Sequence, residues 1–350
     1  MLGRVNPRRV PSRVVTAPHR TLLARGPQAR QFGLDPAGSV AVEALPEPVL
    51  PLLEQLRAPA VSVEWIGQAT SAGVAPDYAE ALLAGLVARG VLVDAEVGPH
   101  RAARRAGARV EVRGEGPLAA ALGIGLARGG VGAVHVVSQG PVEDAEVGAG
   151  IGSGEVGRPR GVAAAEAIDR LGLGTETGVP PPGSWPDLVV LADAVVPRPG
   201  EAAALRSAGV DHLAVLVREG VGVVGPLVLV GRSPCLECVE LDRGRRDPAW
   251  PVLSAQLAGR RGSAEPESVT ATAALGVAQI LVQLDGETRP PTLGAALELD
   301  VHAACLVRRV WAAHPRCPCG WAARTRRASG ERTGSSETCA VPAGRETIMG

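Results

Sequence analysis

RVEVRGEGPLAAALGIGLARGGVGAVHVV, residues 109–137, is the stretch on which the fold turns. Val110 to Val112 reads as a strand. Gly114-Glu115-Gly116 then makes a tight turn, and Pro117 opens an apolar run to residue 128, the place where a proline suits a helix. Ala133 to Val137 is again a strand. The same alternation continues outward, with helices at 158–172 and 201–208 and strands at 187–192 and 212–217. Strand and helix alternating at these lengths predict an α/β domain, a parallel sheet with helices on both faces. Further on, Val221 to Val230 reads as two short strands around Gly225-Pro226. Ser268 to Leu284 reads as a long helix, and Ala295 to Leu299 and Cys305 to Trp311 as closing strands.

The turn itself fits the G-x-G-x-x-G/A nucleotide fingerprint through Gly114, Gly116 and Ala119. Glycines allow close approach of a pyrophosphate, and the helix N-terminus supplies N–H groups and a favourable dipole. Two features oppose that use. Glu115 would set a negative side chain beside any phosphate. The next strand should end on an acidic ribose acceptor, but here it ends on Ser138, Gln139 and Gly140. The expectation is a turn that keeps its shape without its ligand. A nucleotide-dependent oxidoreductase is disfavoured on the same ground.

Composition narrows the chemistry further. All 36 basic residues are arginine and none is lysine, which removes P-loop, Schiff-base and protein-kinase chemistry in their usual forms. They balance 36 acidic residues, so nothing suggests electrostatic binding of nucleic acid by the whole chain. Only seven of 350 residues are aromatic, leaving Ala, Val and Leu to build the core. The length suggests two domains at roughly 150 residues each. The cleanest apolar stretches, Leu118 to Ala127 and Val221 to Val230, fall short of the roughly 20 residues a membrane span needs. No secretory h-region follows the early arginines, and a cytoplasmic protein is expected. No Ser-His-Asp spacing or nucleophile elbow is present.

Residues 1–20, with Arg4, Arg8, Arg9, Arg13 and Arg20, read as a flexible basic arm. Residues 21–98 read as a small winged-helix-like module: a strand at Ser39 to Glu43, a helix from Val49, a helix from Pro76 to Arg89, then a strand at Val91 to Val93. Such modules bind nucleic acid or peptides, and the lack of a local arginine surplus favours peptide or plain packing. Residues 99–108 read as a linker, 109–320 as the α/β domain and 321–350 as a disordered tail.

Cys235-Leu236-Glu237-Cys238 and Cys317-Pro318-Cys319 can supply four thiolates to one tetrahedral ion, and structural zinc is the expectation. A redox pair and plain buried cysteines are the rivals. Cys305 and Cys339 read as bystanders. His135 and His212 read as core residues, and His314 is the one alternative ligand. Asp193, after the strand Leu188 to Leu191, stands where open α/β sheets bind ligands.

From Arg109 to about Gly320 the order of GEGPLA, VGRPRGVAAAEAIDRL, DLVVLADAVV, GPLVLVGRSPCLEC and CPC resembles the ThiF, MoeB and ubiquitin-activating superfamily. GPLVLVGRSPCLECVELDRGRRDPAWPVLSAQL resembles, more narrowly, the actinobacterial ThiF-like cyclodehydratase partners that bind leader peptides. That resemblance implies a ThiF-like Rossmann-type, mostly parallel sheet with zinc-stapled C-terminal strands. It also implies a precursor (leader) peptide, a YcaO-type cyclodehydratase and a homodimer as partners. Active members hold ATP through an acidic pair, a loop arginine and a helix-start lysine. Here those positions carry Ser138 and Gly140, no arginine in Glu146 to Glu155, and Arg160. Asp193 alone retains an expected acidic role toward Mg-ATP. The resemblance therefore implies a degenerate scaffold, with Arg160 and Asp193 as the candidate catalytic residues of the alternative, an ATP-dependent adenylyltransferase.

Overall fold

The computed structural model describes residues 10–322 except 36, 182 and 199; most of the expected tail, with Cys339, and the start of the expected arm lie outside the described residues. The chain divides into two compact units, 1–102 and 103–350.

The first unit carries two small antiparallel sheets. β1 (Arg13–Thr16) lies between β5 (Ala60–Val61) and β6 (Leu92–Asp94), and β3 (Ala29–Phe32) lies between β2 (Leu22–Gly26) and β4 (Val40–Val42). Around them pack α1 (Val49–Gln55), α2 (Ser62–Ser71) and α3 (Pro76–Ala88). The chain's only phenylalanine, Phe32, is fully buried with Val14, Leu53, Leu56 and Leu83. Trp65 joins them and donates its indole N–H to the Leu52 carbonyl at 3.0 Å. Burial of such side chains contributes roughly 1.5–3 kcal/mol each, so the unit concentrates its few large residues in one core.

Two expectations need correction here. Residues 13–16, assigned to a flexible arm, form β1, because Val14 is fully buried and pairs with both Ala60 and Asp94. Residues 97–107, read largely as linker, form α4 (Val97–Gly107), whose alanines and arginines are good helix formers. The sequence reading also missed β2, β3 and α2. In α2 the buried positions are Ser62, Trp65 and Ala69, so a stripe of mostly small residues carries the amphipathic signal.

The second unit is built on a seven-stranded sheet. Its strands are β7 (Arg109–Arg113), β8 (Ala133–Val137), β9 (Leu188–Ala192), β10 (His212–Arg218), β11 (Val221–Val228), β12 (Ala295–Asp300) and β13 (Cys305–Val310), in the order β13-β12-β11-β10-β9-β7-β8. Five of the seven run the same way, β11 and β13 being reversed, so the sheet is mostly parallel as expected. β11 is one strand through the cis Gly225-Pro226 bond, not two.

Alternate residues of each central strand serve different cores. Leu188, Val190 and Val215 face α5 (Pro117–Arg128), α6 (Arg160–Asp169) and α10 (Pro266–Asp285). Val189, Leu191 and Ala214 face α7 (Glu201–Ala208) and α8 (Leu236–Arg246). This is the two-sided burial that makes parallel strands read as continuous apolar runs. α10 is long and apolar enough to cross a membrane by length and composition, yet Val269, Ala273 and Ile280 are buried in the core. It lies close on α5: a Cβ at Gly125 would stand 2.7 Å from Val277 Cγ2, so any larger residue there would have to displace the Val277 side chain. α8 and the short α9 (Trp250–Leu257) were not legible in the sequence, since charged residues interrupt the one and the other is only eight residues long with no buried face.

Candidate functional site

Two clusters in the second unit carry chemistry. The first is the glycine turn. β7 ends at Arg113, Gly114 to Gly116 turn the chain, and α5 starts at Pro117 with Gly116 as its N-cap. The helix therefore offers free N–H groups toward the ends of β7 and β9, the usual seat of an anion. That seat is filled by the chain itself. Asp193, held at φ 70° just after β9, accepts hydrogen bonds from Gly116 N–H and Leu118 N–H, both at 3.0 Å. A Cβ on Gly116 would stand 2.7 Å from Asp193 Oδ1, so the turn needs glycine for its own carboxylate as much as for any ligand. Ala119 packs against the same turn and is fully buried. Burial pushes the Asp193 carboxyl up to about 6, against the lowering effect of the backbone N–H groups.

Beside the turn lies a cavity of about 260 Å³, lined by Arg113, Glu115, Asp193, Arg198, Glu201 and Arg261 among others. Each arginine already has an acid. Arg198 meets Glu115 at 2.5 Å, Arg113 meets Glu111 at 2.6 Å, and Arg261 meets Glu143 at 2.8 Å. Arg261 also donates to the Glu115 carbonyl at 2.9 Å. No surplus positive charge is left to balance a polyphosphate. The sequence reading missed Arg261 and Glu143, because no motif links positions so far apart.

Arg160 is equally committed. It is 3% exposed and forks onto the fully buried Glu146 at 2.8 Å, with further bonds to the carbonyls of Pro141 and Gln139. The groups that stabilise a transferring phosphoryl or adenylyl must be aimed at it; this guanidinium is aimed at the 139–146 loop. Ser138 is neutral, and its Oγ is buried without a hydrogen-bond partner. In this arrangement neither Arg160 nor Ser138 presents a charge to a phosphate at the turn.

The second cluster is the four cysteines. Cys235 caps α8 and Cys238 sits in its first turn, while Cys317 and Cys319 lie in the turn after β13. Their sulfurs all lie within 4.8 Å of one another, with Cys235–Cys317 at 3.5 Å and Cys238–Cys319 at 3.6 Å. Four converging sulfurs fit a closed tetrahedral metal site. Hydrogen bonds from its neighbours hold the Cys235 thiol low, while burial and the Cys235 thiolate push the Cys238 and Cys317 thiols up, so without a cation the cluster carries its negative charge mainly on Cys235. The first pair opens a helix, as redox pairs do, but two further thiols in contact favour a metal. His314 stands outside the cluster: its carbonyl accepts from Cys317 N–H at 3.0 Å. Cys305 is exposed on β13. His212 is buried as expected, and His135 is half-buried on β8.

The sequence matches no protein-family model and none of the curated proteins. Solved structures do match. MccB of E. coli with AMPCPP and the peptide MccA superposes with a TM-score of 0.67 at 12% identity, over 88% of this chain and 99% of that one. The microcin C7 biosynthetic enzyme MccB in complex with N-formylated MccA gives 0.64 at 14% identity, over 88% and 99%. PaaA gives 0.56 at 15% identity, over 84% and 99%. The chain thus has the ThiF/MoeB-type fold of MccB and PaaA, as the sequence resemblance implied.

Proposed function

We propose that the chain is a ThiF-like scaffold that binds a precursor (leader) peptide through its first unit and presents it to a partner cyclodehydratase of the YcaO type. The observation that carries this reading is Asp193 seated on the α5 N-terminus, where an adenylating enzyme would need the nucleotide. Around it, every arginine of the cavity is paired. The MccB structures that contain the peptide MccA support a peptide as the ligand. β4 supports the mode: it pairs with β3 on one side only, so an extended peptide can add to its other edge through main-chain hydrogen bonds. The metal at the cysteines is zinc in this reading, fixing structure rather than taking part in chemistry. In this reading the protein works in the cytoplasm.

Fluorescence anisotropy of labelled precursor peptides from the gene neighbourhood, titrated with the full-length protein, tests the reading. Saturable binding is expected, and its absence at high micromolar protein for every peptide would overturn it. The second reading is ATP-dependent adenylyl transfer, favoured by the MccB structure with ATP. It requires ATP–pyrophosphate exchange activity that Asp193→Ala abolishes. No exchange above background, and no saturable heat on titrating Mg-ATP, are the outcomes expected here.

A further inference from the structure

Four thiolates around one Zn²⁺ leave two negative charges to be compensated, in a cluster three of whose cysteines are buried. Backbone N–H groups meet part of that charge. Cys238 N–H donates to the Cys235 sulfur, His314 N–H to Cys238 and Cys319 N–H to Cys317. Cys235 also caps α8, so the positive end of that helix faces it.

One full positive charge stands beside these partial ones. Arg206, in the last turn of α7, lines a cavity of about 300 Å³ together with Cys235 and Cys319. Its guanidinium donates to Glu237 at 2.6 Å and also hydrogen-bonds the Cys235 sulfur. Glu237 sits between Cys235 and Cys238 in the first turn of α8, so the same short motif carries two ligands and the carboxylate that orients the arginine. The Glu237 side chain is 41% exposed against 23% for Arg206, and water screens the carboxylate more than the guanidinium. His212 is the other basic side chain near Cys235. Its Nδ1–H donates to the Val210 carbonyl at 3.0 Å, and burial pushes its pKa down, so it brings no charge at neutral pH.

We infer that Arg206 sets how tightly the zinc is held, by donating to the Cys235 thiolate and offsetting part of the negative charge of the site. It acts through Cys235 and is a positioning residue, not a ligand; the role rests on the zinc reading above. Partners of metal ligands commonly govern affinity by about 10–100-fold. Full-length wild type, Arg206→Met and Arg206→Lys are loaded with zinc and titrated with a chromogenic chelator. Arg206→Met keeps the apolar stem, loses the charge and donors, and holds zinc at least tenfold more weakly; Arg206→Lys keeps the charge and loses less. In the cobalt-loaded protein, Arg206→Met moves the thiolate-to-metal band to longer wavelength, because a sulfur that has lost a hydrogen bond gives up its electrons more easily. Added to Cys235→Ser/Cys238→Ser, Arg206→Met leaves the melting temperature unchanged, since the exposed Glu237 pair contributes little by itself. A wild type that takes up no zinc overturns the metal reading and this inference with it. A zinc-binding wild type matched in affinity by Arg206→Met overturns this inference alone, as does an equal loss of stability with and without the cysteine pair.

Discussion

The glycine turn and the cysteine cluster lie in the same unit and were both legible as ligand sites, yet they are in opposite states of satisfaction. At the turn the donors offered by α5 are taken by Asp193, and the surrounding arginines are taken by Glu111, Glu115 and Glu143. At the cluster four sulfurs converge within 4.8 Å of one another, the arrangement of a four-thiolate metal site. A motif records the shape a ligand once needed; only the neighbours tell whether the chain has supplied the ligand's charge from its own side chains. The turn has closed over an internal carboxylate, whereas the cluster still asks for a cation.

Removing the metal ligands should have the largest effect. The Cys235→Ser/Cys238→Ser protein should lose about one zinc per chain by elemental analysis, because a structural site contributes its binding free energy to folding. Its melting temperature should fall by about 10 °C or more, taking a loss of several kcal/mol and the usual few degrees per kcal/mol. A wild type that carries no metal and has four freely titrating thiols would erase the contrast between the two sites.

The next effect belongs to the buried Arg160–Glu146 pair. Glu146→Ala leaves the buried Arg160 without its carboxylate, and such a change costs about 3–5 kcal/mol. Urea unfolding should show that loss. A change below about 1 kcal/mol would mean that Arg160 can turn outward, which would reopen it as a phosphate ligand.

Asp193 sharpens the comparison through pH. Its carboxyl titrates at about 6 in the folded protein against 3.8 for the free side chain. An acid whose folded value is raised penalises folding once ionised. The penalty is absent below the unfolded value, grows as the pH rises, and is complete above about 6; its full size is about 3 kcal/mol. Glu143, Glu155 and Glu298, all held low by arginine or backbone partners, act in the opposite sense, so the difference between two proteins is the useful quantity. Asp193→Asn should gain stability relative to the wild type as the pH rises from about 4 to about 6. A difference flat with pH would show that the carboxyl is not buried as described.

How much of this the sequence contained depends on the range of the interaction. The alternation from residue 110 to residue 217 rests on local apolar runs, and its strands and helices formed within a few residues of the expected bounds. The cysteine pairs were equally plain, because spacing is a local property. The first unit was harder: β2 and β3 are short and interrupted by Arg25 and Arg30, and the apolar stripe of α2 is mostly Ser62 and Ala69. The partners of the glycine turn were hardest. Asp193 was noted as a candidate toward Mg-ATP, but its bonds to Gly116 and Leu118 bridge more than seventy residues, and the bond from Arg261 to Glu115 bridges 146.

All six residues of β13 are exposed, and among the described residues β12 is the only strand it pairs with. An edge of that kind opens locally at little cost, and its amides exchange with solvent ahead of the strands buried behind it. The only covalent path from β13 onward runs directly into Cys317 and Cys319, whose sulfurs meet those of α8. A bound metal would therefore act as a stop on fraying, confining fast deuterium uptake to the β13 edge. Chelation would let the opening spread to β12, and the measured protection of residues 295–300 would become a direct gauge of metal occupancy.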